Sequence, residues 1–98
     1  MEIIFRNKDL DRLEVDSEFT AGFPREVVRA FRKRIQAIRS AADERDFYVF
    51  KSWHYEKLGG GRAHQRSLKL NNQWRLIIEI IPMKPSNVIE IVSIEDYH

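Results

Sequence analysis

Gln65-Arg-Ser-Leu-Lys-Leu-Asn-Asn-Gln-Trp-Arg-Leu-Ile-Ile-Glu79 reads as two strands meeting at a turn. Leu68 and Leu70 alternate with Ser67 and Lys69, and Trp74, Leu76, Ile78 and Ile80 alternate with Arg75, Ile77 and Glu79. A period of two marks strands with one buried face. Asn71-Asn72 tolerates left-handed backbone angles, so the turn belongs there. A two-residue loop would set Leu68 opposite Arg75. A three-residue loop, Asn71 to Gln73, pairs Leu70 with Trp74 and Leu68 with Leu76 and gathers the apolar side chains on one face, which makes it the preferred register. It also sets Lys69 opposite Arg75. Like charges so placed either splay into solvent or share an anion, and the stretch alone leaves both readings open.

The chain has 98 residues, enough for one small domain spanning 1–98. It has no cysteine, which excludes a disulfide framework and a thiolate metal site. The opening Met-Glu-Ile-Ile-Phe-Arg reads as a strand rather than a secretory leader, and no apolar run reaches membrane-spanning length. A cytoplasmic location with no membrane contact is therefore expected. Residues 1–48 carry ten Lys/Arg and ten Asp/Glu, and residues 49–98 carry seven and five, so the net excess of two positive charges lies in the second half. That surplus proves no nucleic-acid binding by itself, because clustering matters more than totals.

Outward from the hairpin, residues 2–6 are a strand candidate with Ile3 and Phe5 on one face, and residues 8–15 form a short helix with Leu10 and Leu13 on its apolar side. Pro24 fits the first turn of a second helix extending to about Ala42. Val27, Phe31, Ile35 and Ile38 recur there at helical spacing, while Arg25, Arg29, Arg32, Lys33, Arg34 and Arg39 occupy the other sides. Such a run is the solvated face of an amphipathic helix or a surface for a partner. Phe47 to Phe50 should plug one end of the core, residues 51–58 suit an edge strand, and Gly59-Gly60-Gly61 makes a flexible turn that delivers Arg62. The glycines lack the context of a nucleotide-binding loop. Residues 88–94 form a last, β-branched strand before Glu95-Asp96-Tyr97-His98. An acid, a phenol and an imidazole thus meet at one rim, the imidazole titrating near neutrality.

Asn71-Asn72-Gln73-Trp74-Arg75-Leu76, followed by Val88-Ile89-Glu90-Ile91-Val92 and Asp96-Tyr97-His98, resembles the HigB-like, killer-protein branch of the RelE/ParE toxin superfamily. The resemblance extends back through Leu58, Gly60, Arg62-Ala63 and Gln65, and it is one of pattern only in the N-terminal half. It implies an α+β fold of two N-terminal helices packed on a small, mainly antiparallel sheet, like a microbial RNase. It also implies metal-independent, cofactor-free cleavage of mRNA on the ribosome, and neutralisation by a cognate HigA-like helix-turn-helix antitoxin through which operator DNA would be reached only indirectly.

Carried onto this chain, the resemblance implies Arg75 as the phosphate-stabilising cation, His98 as the proton-transfer group, Tyr97 as the residue that orients or stacks a nucleotide, and Asp96 as the group that orients His98 or helps with protons. His54, Lys57, Arg62, Arg66 and Lys69 would line the RNA path. The family often carries His-Pro-Leu-Lys-Gly; if its Leu matches Leu58, its His falls on Glu56 and its Lys on Gly59. Whether His54 or Glu56 assists is left open. So are two other classes: a ParE-type toxin that poisons a topoisomerase, and a non-enzymatic RNA-binding or partner-binding module.

Overall fold

A computed structural model describes residues 1–97. Two helices cover one face of a five-stranded sheet. The elements are β1 (Glu2–Phe5), α1 (Lys8–Val15), α2 (Arg25–Ser40), β2 (Glu56–Lys57), β3 (Gln65–Lys69), β4 (Trp74–Ile81) and β5 (Val88–Asp96). Strand order is β1-β5-β4-β3-β2, with β1 parallel to β5 and every other pair antiparallel.

Local chemistry sets the helix ends. Asn7 caps α1 by accepting from the Leu10 N–H at 2.9 Å, and Pro24 occupies the cap of α2, where its missing N–H costs nothing. The helix ends at Ser40, two residues earlier than its alanines suggested, because Ala41 is extended. Leu10, Leu13, Val27, Phe31, Ile35 and Ile38 pack against Leu68, Leu76, Ile78, Ile89 and Ile91 of the sheet. Arg32 donates to the carbonyls of Leu13 and Asp16 and so fixes the turn between the helices; Arg34 donates twice to the Lys69 carbonyl and ties α2 to β3.

The hairpin takes the three-residue register, with Leu68 opposite Leu76 and Lys69 opposite Arg75. Asn71 Oδ1 accepts from the N–H groups of Gln73 and Trp74 at 2.9 and 2.8 Å, an Asx arrangement that holds the turn shut. On the other side of β4 the ladder carries a bulge. Ile77 pairs with Ser93 and Ile78 with Ile91, leaving Val92 without a partner. The extra residue returns Ile94 to the helix face opposite Leu76 and sets Glu95, not Ile94, opposite Arg75. β5 continues to Asp96, two residues beyond the expected end.

Residues 51–58 are not one edge strand. Lys51–Trp53 is a turn of 3-10 helix that drives Trp53 into the core, His54 follows in the left-handed region at φ 46°, and only Glu56–Lys57 pair with β3. Burial of the indole outweighs the β-type composition there. Phe47 plugs the core as expected, whereas Tyr48 and Phe50 lie exposed.

Candidate functional site

Arg75 is the second residue of β4, on the face away from the helices, and it is only 8% exposed. Burying a guanidinium is costly unless its donors are used. Here Nε donates to the Ser67 hydroxyl, which is fully buried on β3, and Nη2 donates to the His54 carbonyl at 2.8 Å. Glu56 Oε1 lies 3.4 Å from the same nitrogen. The Tyr97 ring lies over the guanidinium with its centroid 4.8 Å from Cζ, a cation–π contact that leaves the phenol end exposed. Arg75 is thus braced from two chain segments, β3 and residues 54–56, and capped by a third.

The neighbours follow from register. Lys69 is directly across on β3, half-buried, with no ion-pair partner among the described residues. Glu95 is across on β5, where Arg62 grips it through two bonds of 2.9 and 2.8 Å and Ser93 donates a third. Arg62, with help from Ser93, holds the Glu95 carboxyl below its usual range. Gly60, at φ 60°, gives the loop the bend that brings Arg62 there. Further along this face Glu79 accepts from Gln65 at 2.8 Å and from Arg6 at 2.9 Å, and both contacts lower its pKa, Gln65 the more.

The residues singled out from sequence therefore divide. Arg75, Tyr97, Lys69 and Arg62 share the face away from the helices. His54 joins them through its backbone carbonyl, its side chain being exposed. Asp96 stands opposite Trp74 at the rim and accepts from Gln73 Nε2 at 3.0 Å. Lys57 and Arg66 pair with each other across β2 and β3 in the register of Ile78, which is the helix side of the sheet. Arg66 there adjoins Tyr55, whose hydroxyl is pushed up to about 12 chiefly by burial. His98 lies outside the described residues. Sequence reasoning missed Ser67, although the register it preferred puts Ser67 two residues from Lys69's pairing with Arg75, on the same face.

Among the described residues no group of three or more His, Asp or Glu side chains is placed to hold a metal ion, and no helix is long and apolar enough to cross a membrane. The arrangement offers a fixed cation, a second cation beside it, an aromatic ring above and a carboxylate at the edge. Such a surface can hold a phosphodiester and an unstacked base together.

Comparison with known proteins agrees with this description. The chain matches, over residues 3–98, the family model described as the RelE-like toxin HigB of type II toxin–antitoxin systems. No curated protein sequence matches it. Among solved structures it is similar to the YoeB/ParE toxin from Agrobacterium tumefaciens, with 16% sequence identity over the whole of both chains and a TM-score of 0.64. At that identity the likeness concerns the fold: two helices on a mostly antiparallel five-stranded sheet. A toxin of this kind implies an antitoxin partner. On the family match, which spans nearly its full length, the chain belongs to the HigB-like toxins, the RelE-like toxins of type II toxin–antitoxin systems.

Proposed function

We propose that this toxin is a ribosome-dependent endoribonuclease that cuts mRNA and so halts translation until its antitoxin binds. The observation that carries the reading is the braced Arg75 under Tyr97. A guanidinium locked by Ser67 and His54 is pre-organised, so it loses little entropy when it meets phosphate, and it can grip two non-bridging oxygens as the phosphorane develops.

In the proposed reaction the ribose 2′-oxygen attacks the adjacent phosphorus, its proton passes to a base, and the P–O5′ bond breaks as an acid protonates the leaving oxygen. The products are a 2′,3′-cyclic phosphate and a 5′-hydroxyl. Arg75 and Lys69 carry the developing charge. Tyr97 stacks on or orients the nucleotide, and His98 transfers a proton with Asp96 as its partner. The 3.4 Å contact with Arg75 favours Glu56 over His54 as the auxiliary group, since it puts a carboxylate side chain beside the guanidinium, whereas His54 meets Arg75 through its backbone carbonyl. Arg62 contributes to the RNA path only by releasing Glu95. Lys57 and Arg66 would touch RNA that wraps the sheet edge.

The test is induction of the chain in bacteria with primer extension across an abundant translated message, comparing it with Arg75→Ala and His98→Ala. In-frame cuts lost in both variants, together with toxicity, support the assignment. Undiminished toxicity with intact messages refutes it and moves the toxin to the topoisomerase-poisoning or binding class.

A further inference from the structure

We propose that the antitoxin seats along the outer side of α2, as an acidic segment bearing apolar side chains; this rests on the toxin reading above. Of the six cations on that helix, three are used internally: Arg32 and Arg34 bind carbonyls, and Arg39 bonds to both oxygens of Glu14 at 2.8 Å. Arg25, Arg29 and Lys33 have no hydrogen-bond or ion-pair partner among the described residues. They succeed one another at four-residue spacing, so they project from one stripe, where like charges weaken the helix that carries them. An arrangement that costs stability and answers nothing within the chain calls for an anion from outside.

The same helix supplies apolar surface one turn further on. Ala37, Ser40 and Ala41 form one wall of a groove of about 450 Å³, and Val49 and Phe50, 74% and 42% exposed, form the other with Asp46, whose carboxylate accepts from the Ala42 N–H at 3.2 Å. Upstream on that side of α2, Glu26, Arg29, Ala30 and Lys33 line a smaller groove of about 230 Å³ with Leu70, Glu26 accepting from Asn71 Nδ2 at 3.3 Å. Cationic and apolar halves therefore lie end to end along about 20 Å of helix. A second copy of this chain fits poorly, because a two-fold interface would face Arg25, Arg29 and Lys33 with their own images. An RNA backbone would satisfy the cations and leave Val49 and Phe50 against phosphate. An acidic segment with apolar anchors complements both halves. This surface is on the helix side of the sheet, behind Arg75.

The test uses the full chain and its purified cognate antitoxin, with affinity measured calorimetrically and neutralisation scored in cells. Arg29→Glu combined with Lys33→Glu, and separately Val49→Asp, should each weaken antitoxin affinity at least about tenfold. Both variants should still cut messages and should kill cells despite the antitoxin; all three positions are exposed, and melting curves matching the parent verify the fold. Variants bound as tightly as the parent overturn the proposal. So does a charge variant that keeps the antitoxin and loses message cleavage, which would give the surface to RNA. A parent chain that is neither toxic nor bound refutes the toxin reading itself, and that result is visible without any variant.

Discussion

Replacing Ser67 with alanine should loosen the candidate site from beneath. The Ser67 hydroxyl is fully buried and accepts from Arg75 Nε, itself on a side chain almost wholly removed from water. Alanine leaves that N–H without a partner where solvent cannot supply one. A hydrogen bond to a charged group contributes about 1.5–3 kcal/mol. The guanidinium keeps His54, Glu56 and Tyr97, so the middle of that range, about 2 kcal/mol, is expected. For a domain of this size 1 kcal/mol moves the melting temperature by about 4–8 °C, which predicts a fall of about 8–16 °C. A double-mutant cycle isolates the bond: in an Arg75→Ala background the same Ser67→Ala change should cost almost nothing, giving a coupling of about 2 kcal/mol by urea denaturation. Cleavage should fall with little change in KM, since Ser67 positions Arg75 and does not touch RNA. Additive costs in the cycle, or a melting temperature within 2 °C of the parent, would refute the view that Ser67 holds Arg75 in place.

Arg75→Lys should lower message cleavage by roughly 10²-fold or more in primer extension, because one ammonium cannot keep the Ser67 and His54 bonds and also present two donors to phosphate. Phe31→Ala should cost about 3–5 kcal/mol in urea melts, since the ring is fully buried between α2 and the sheet. Glu95→Gln should flatten the acid side of the stability profile. Arg62 depresses the folded carboxyl, so its contribution is present above the ordinary value of 4.5 and is lost as pH falls through the lower folded value; chemical denaturation between pH 7 and pH 3 reads this. Tyr97→Ala should lower the melting temperature by about a few degrees in thermal melts, because the ring over Arg75 is lost.

The hairpin and both helices were legible because their apolar spacing and their turn and cap residues agree. Asn71, Pro24 and the Leu68/Leu76 pairing each fix one geometry. The segment from Lys51 to Leu58 was not, since Trp53, Tyr55 and Lys57 alternate like a strand while core volume decides that Trp53 is buried from a 3-10 turn. The bulge left a trace in the sequence: Ile89 and Ile91 are two apart, Ile94 is three further on, and only an unpaired residue between them keeps all three in the core. Arg75 was evident as a cation opposite Lys69, but its bracing was not, because the His54 carbonyl and the Glu56 carboxylate arrive from a segment whose backbone the residue types misstate. Lys57 and Arg66 show the same limit, for charge identifies a cation and pairing decides which side of the sheet it leaves.

The strand order also sets a timetable. β5 lies between β1 and β4, so the first strand made finds its only partner in the last one made. While a nascent chain still lacks β5, β1 has nothing to pair with, Glu95 is missing opposite Arg75, and Tyr97 has not closed over the guanidinium. Contacts of such long sequence separation form late and slowly. A ribosome that makes this protein therefore translates through β5 and Tyr97 before the surface described here can exist.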